Sequence, residues 1–136
     1  MSAILNAKKA AERKLSSLLP AVPIAYEGVK FTTPENSLYL RTQFQMQTPD
    51  DPVIGDNYYR ERMTFQVFVV DVLNKGTAVA IAKAEEIRAL FKKGSTMQEA
   101  GTNIYVLNTP QIAGTMPTAD RLVVPVIINL VVEVYE

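Results

Sequence analysis

Residues 62–73 read Arg62-Met63-Thr64-Phe65-Gln66-Val67-Phe68-Val69-Val70-Asp71-Val72-Leu73, and their period decides the fold class. Met63, Phe65, Val67, Val69 and Leu73 fall on one side of an extended chain, with Asp71 the exception. Thr64, Gln66, Phe68, Val70 and Val72 fall on the other, which turns apolar towards its end. Side chains alternate with period two in a strand, so this is a β-strand with one buried face and a second face that is half apolar. Two apolar faces predict a central strand, or one covered by a neighbouring chain.

A second strand of the same kind lies at 121–135, where every even position from Leu122 to Val134 is apolar. Its odd side mixes Arg121, Val123, Pro125, Ile127, Asn129, Val131 and Glu133. At about 3.3 Å per residue it spans about 45 Å, longer than a small domain needs. It therefore either bends at Pro125 or partly leaves the body to meet another subunit. Upstream, residues 38–46 alternate cleanly: Leu38, Leu40, Thr42, Phe44 and Met46 against Tyr39, Arg41, Gln43 and Gln45. A short extended segment is expected at 24–33 and another at 103–107.

Two helices frame these strands. Residues 2–19 are opened by Ser2 as a cap, and Ile4, Ala11, Leu15 and Leu18 recur near helical spacing. Pro20 and Pro23 end that helix. Lys8, Lys9, Glu12, Arg13 and Lys14 form its solvated face, with contact to an acidic partner or DNA as the alternative. Asn74-Lys75-Gly76 is a turn. Thr77 then caps a helix running to about Lys93, with Ala80, Ala84, Ile87 and Phe91 inward and Glu85, Glu86, Arg88 and Lys92 outward. Two polar, proline-containing loops are left over, at 47–60 and 108–120. The expected architecture is one α/β domain of the α+β type over residues 1–136. Its sheet is mixed and largely antiparallel, flanked by the N-terminal and central helices.

Composition removes most chemistry. The 136 residues hold no Cys and no His, so disulfides, thiolate nucleophiles, imidazole bases and most zinc, copper and haem sites are excluded. Charge balances at 14 basic and 14 acidic residues, which argues against strong non-specific attraction to nucleic acid or anionic membrane. No signal peptide and no membrane span are expected, and the chain reads as soluble and made in the cytoplasm. Asp50, Asp51 and Asp56 lack the alternating acids and terminal glutamate of a calcium loop. Glu85 and Glu86 are helix neighbours that diverge, a poor acid–base pair. Lys92-Lys93-Gly94-Ser95-Thr96 has the order of a phosphate loop reversed and ends a helix instead of starting one. Tyr58-Tyr59-Arg60-Glu61-Arg62 interleaves aromatics with basic residues, but Glu61 interrupts the charge. No cofactor and no catalytic residue are assigned. Surplus apolar strand surface in a small domain points to a partner.

The stretches Tyr26-Glu27-Gly28-Val29-Lys30-Phe31-Thr32-Thr33-Pro34 and Tyr59-Arg60-Glu61-Arg62-Met63-Thr64-Phe65-Gln66-Val67-Phe68-Val69, then Gly76 and a helix ending Ile87-Arg88-Ala89-Leu90-Phe91-Lys92-Lys93-Gly94, resemble the tail terminator-like proteins of tailed bacteriophages. The N-terminal helix and the late paired strands extend the resemblance over nearly the whole chain. It implies a small α/β protein of the virion that forms a ring, usually a hexamer, on the head-proximal end of the tail tube. The ring ends tube growth and docks the head-completion or connector protein. Genome DNA passes through its hole, and no cofactor takes part. A head-completion or stopper subunit of the neck, or a non-viral dimeric binding module, remains as an alternative.

The resemblance assigns no contact residues, so these come from the two loops. Asp50, Asp51, Val53, Ile54, Asn57, Tyr58 and Tyr59 in the first, with Gln111, Ile112 and Met116 in the second, are expected at subunit or tail-tube contacts. Arg41, Arg60 and Arg62 are expected to face the DNA channel, since a lumen tolerates DNA better with some positive charge.

Overall fold

The computed structural model describes residues 2–18, 22–34, 37–52, 54–55, 57–73, 76–118 and 120–135. Pro20, Val53, Asp56, Asn74, Lys75 and the Leu18 side chain, all used above, lie outside the described part.

The long alternating stretches form the centre of the sheet. β3 (Tyr58–Val72) and β8 (Arg121–Tyr135) pair antiparallel along all 15 residues of each, from Tyr58 opposite Tyr135 to Val72 opposite Arg121. β8 thus stays within the body along its whole length. The full order is β1-β2-β3-β8-β5-β4, with β6 and β7 also paired to β8. β1 (Ile24–Ala25) runs parallel to β2 (Tyr39–Met46), and every other pairing is antiparallel. Only two residues of the extended segment expected at 24–33 are strand.

Three short pieces share the second edge of β8: β5 (Thr102–Val106), β6 (Gln111–Ile112) and β7 (Met116–Pro117). Pro125 explains the interruption. The Ala113 amide donates to the Pro125 carbonyl at 2.9 Å, so Pro125 turns its main chain towards this edge. Its ring nitrogen has no proton to return there, so Ala113 makes a single bond to Pro125 and no strand forms over residues 113–115. The loop read at 108–120 is therefore partly sheet. β4 (Thr96–Glu99), absent from the sequence reading, hairpins onto β5 through Ala100 and Gly101, whose φ angles are 51° and 82°. That is the mirror-image turn whose backbone twist suits a tight hairpin. The first polar loop also shortens. β3 starts at Tyr58, and Asp50 bridges Arg60, so only residues 51–57 lie beyond the last pair.

Helix α1 (Ala3–Leu15) and helix α2 (Ala78–Leu90) cover one face of the sheet. The Leu5 amide donates to Ser2 Oγ at 3.1 Å, the expected cap. The buried row of α1 is Ala7, Ala10, Ala11 and Leu15, while Ile4 is 37% exposed. Ile4 is therefore not part of the inner stripe; alanines with little hydrophobic signal of their own take that place, and short side chains let the helix sit close. Ala80, Ala84, Ile87 and Phe91 bury as expected, but α2 ends at Leu90, short of Lys93, and Thr77, whose backbone is already helical, makes no side-chain cap bond. Leu40, Met63, Phe65, Val67, Val69, Val124, Val126, Ile128, Leu130 and Val132 meet them from the sheet in one continuous core. Phe65 links the layers, with ring centroids 5.9 Å from Phe44 and 5.8 Å from Phe91. Asp71, the exception on that face, is buried with its Oδ1 accepting from the Val72 amide, and its Oδ2 has no hydrogen-bond partner.

Candidate assembly surface

With both helices on one side, the other side of β2, β3 and β8 carries no helix among the described residues; at one end of it Phe31 packs on Tyr39 and Arg121 donates to the Ser37 and Pro34 carbonyls, and Val70 and Val123 are buried there. Three zones follow one another along it. Phe68, Val70, Val123, Pro125 and Ile127 make an apolar zone, and the Arg41 guanidinium sits 4.7 Å from the Phe68 ring centre. A cation over a ring contributes about 0.5–1 kcal/mol at an exposed site.

Next comes a polar row crossing the strands. Gln47 Nε2 donates to Thr64 Oγ1, Thr64 Oγ1 donates to Asn129 Oδ1 at 3.2 Å, and Asn129 Nδ2 donates to Asn108 Oδ1 at 3.1 Å. Thr64 is only 5% exposed, so these bonds satisfy what burial would otherwise orphan.

The third zone is charged. Arg60 Nε donates to Tyr58 Oη and Tyr58 Oη donates to Glu133 Oε1, both at 3.0 Å. Arg60 also lies 3.8 Å from Asp50 and 4.0 Å from Glu133. The Tyr58 hydroxyl raises the Arg60 pKa further, helped by Asp50 and Glu133. Glu133 pushes the Tyr135 hydroxyl above its usual value. Tyr58 and Tyr135 stack with centroids 4.8 Å apart. Asp50, Arg60, Arg62, Tyr105, Leu107 and Glu133 line an open depression here of about 560 Å³, with Val106 and Val131.

The sequence-derived contacts separate in this frame. Asp50, Tyr58 and Tyr59 gather at the end where β3 begins; Asp51, the fully exposed Ile54 and Asn57 lie in the turn beyond it, and Val53 lies outside the described residues. Gln111 and Ile112 pair opposite Ile127 and Val126, and Met116 opposite Val123. At about 3.3 Å per residue, that is roughly 25–40 Å further along β8 from Tyr135, the partner of Tyr58. The two loops are thus two places on the surface. Arg41, Arg60 and Arg62 share the helix-free face, but Arg41 stands opposite Phe68, about 20 Å along β3 from Arg62. Arg60 is engaged by acids, whereas Arg62 is exposed.

Among the described residues no group of three or more Asp or Glu side chains is placed to hold a metal ion. Glu86 is bound to Lys83 at 2.7 Å and Asp50 faces Arg60. No helix among the described residues is long and apolar enough to cross a membrane.

No curated protein sequence matches the chain. A solved protein structure 29% identical to it superposes with a TM-score of 0.78, over 96% of this chain and 95% of the other. A sequence model described as phage tail terminator protein matches residues 6–130, nearly the whole two-layer body described above. The chain belongs to the phage tail terminator family.

Proposed function

We propose that copies of this chain close into a ring, a hexamer by likeness to the family, that caps the head-proximal end of the tail tube. The ring ends tube polymerisation and offers its other side to the head-completion or connector protein, with genome DNA passing through the hole. Family membership makes the chain a structural component of the phage tail that associates with other tail components. The observation that carries the finer reading is the helix-free sheet face. One side of β2, β3 and β8 carries no helix, and away from the Tyr39 end Arg41, Gln43, Gln45, Arg62 and Glu133 stand exposed on it, a surface suited to a partner.

The turn at 51–57 and the segment carrying Gln111, Ile112 and Met116 supply the contacts to subunit or tube. Ile54 is fully exposed and Met116 48% exposed, and neither belongs to the core. Ile54→Asp and Met116→Asp should therefore leave the melting temperature unchanged and weaken capping. Arg41 and Arg62 face the channel, Arg60 being held by Asp50 and Glu133. Loss of packaged DNA from Arg41→Gln/Arg62→Gln virions supports that placement, and full retention refutes it.

The decisive experiment polymerises tail-tube protein with and without this chain and images the tubes. Bounded lengths with a ring at one end are expected. Tubes of unchanged length with no terminal ring overturn the reading, and binding to the portal complex before any tube favours the head-completion alternative.

A further inference from the structure

The sheet ends on two main-chain edges that nothing described covers. One is β2 beyond the two residues that β1 pairs; the other is β4. Hydrogen bonds fix the phase of each. The Gln47 amide donates to the Arg62 carbonyl at 2.9 Å, so Gln45 and Gln43 bond inward to β3, while Phe44 and Met46 turn their amides and carbonyls outward. Leu40, in the same phase, donates outward to the Pro23 carbonyl at 2.9 Å. The Val106 amide donates to the Ser95 carbonyl at 3.0 Å, so Met97 and Glu99 bond inward to β5. Thr96 and Gln98 then turn outward.

Neither edge carries the usual protection. Residues 42–46 (Thr-Gln-Phe-Gln-Met) and 96–99 (Thr-Met-Gln-Glu) contain no proline, lysine or arginine. Along the strand direction β4 begins where β2 ends. Met46 pairs with Met63, Met63 with Leu130 and Leu130 with Val106, and Val106 bonds to Ser95 at the start of β4. Direction alternates at each step from β2 through β3, β8 and β5, so β2 and β4 run the same way.

We propose that the β2 edge of one copy pairs in parallel with the β4 edge of the next, joining the sheets into a belt whose strands tilt to the assembly axis. This rests on the ring reading and says how the ring is joined. In a parallel pair, a residue with outward groups sits between two outward residues of its partner. The Phe44 amide meets the Thr96 carbonyl of the next copy, and the Gln98 amide of that copy meets the Phe44 carbonyl. Phe44 then lies beside Met97, and both point to the helix-covered face. Hydrogen-bond phase, direction and face agree together. An antiparallel joint of β2 to β4 would turn the next copy over and put its helices on the opposite side of the sheet, which rotation about a single ring axis does not allow. A repeated heterologous contact that preserves direction and face closes by rotation about one axis, the stagger of about four residues between Phe44 and Met97 being taken up by strand tilt.

The chain has no cysteine of its own, which makes a cross-linking test clean. The register puts Gln45 beside Gln98, both exposed, at the roughly 4.8 Å strand spacing, within reach of a disulfide. Gln45→Cys/Gln98→Cys protein on tail tubes should oxidise into a ladder ending in a closed oligomer. Each single variant should stay uncross-linked; a disulfide dimer from either one shows a two-fold edge contact and overturns the proposal. Gln98→Pro removes an amide used only in the joint, so it should keep its circular dichroism and melting temperature while capping drops at least tenfold. Capped tails with no cross-link in the double variant, or with Gln98→Pro still capping, overturn the joint and leave the ring standing. Uncapped tails with wild-type protein sink the ring reading and the joint with it.

Discussion

Phe65 and Phe68 lie three residues apart on one strand, point to opposite faces, and should respond to truncation in opposite degrees. Phe65 is 1% exposed and packed between Phe44 and Phe91. Phe65→Ala loses the transfer energy of the ring and leaves a cavity beneath α2, a cost of about 4 kcal/mol. Phe68 is half-buried on the helix-free face with Arg41 over it. Half of a buried phenylalanine's worth is about 1 kcal/mol, and the lost cation–ring contact adds up to about 1 more. A domain of this kind is stable by about 5–15 kcal/mol, so both variants should fold and be measurable. Urea unfolding followed by far-ultraviolet circular dichroism, at dilution that keeps the chain monomeric, gives both values if the m-value holds. A gap of at least about 2 kcal/mol is expected from those two magnitudes. Losses within 1 kcal/mol of each other would refute the assignment of a covered and an uncovered face. A Phe65→Leu/Phe91→Leu double-mutant cycle should show a coupling of about 0.5–1.5 kcal/mol across the helix–sheet seam.

Ala100 is the one residue other than glycine described with a left-handed backbone, at φ 51°. Ala100→Asn, which tolerates that conformation, should stabilise the β4–β5 hairpin by about 0.5–1 kcal/mol, read as a higher urea midpoint. Burial raises the Glu12 carboxyl above its ordinary range, with Lys8 opposing and Glu27 adding to the rise. A raised carboxylate withholds stability while ionised. Stability therefore returns as pH falls through the folded value and is complete below the unfolded one. Glu12→Gln should raise the melting point at pH 7 by less than about 0.5 kcal/mol equivalent, since solvent screens the site. The difference should vanish by pH 4, and an unchanged gap there would exclude this cause.

What could be read in the sequence was what burial makes periodic. The strands at 62–73 and 121–135 and the inner row of α2 repeat because one face of each must leave water. β4 was invisible because Met97 is its only large apolar side chain, and β6 and β7 are held by main-chain bonds to β8 that leave no pattern in residue type. The start of β3 was read as loop because Asn57 and the prolines before it are turn residues, although pairing with β8 continues to Tyr58. Ile4 stood for the inner face of α1 because it is the more hydrophobic residue, while the helix is seated on alanines. The assembly surface had the weakest signal. Its polar row and its edges answer to a partner's geometry, and a partner leaves no period in a single chain.

Pro125 has a practical consequence. By denying β8 a donor on its second edge, it interrupts the ladder after Ala113 and leaves residues 114 and 115 between two short anchored pieces. Chain length there is uncoupled from strand register. An epitope tag or fluorophore-bearing peptide spliced in beside Gly114 should be carried without re-registering a single strand, giving a labelled virion part whose position could be followed during morphogenesis.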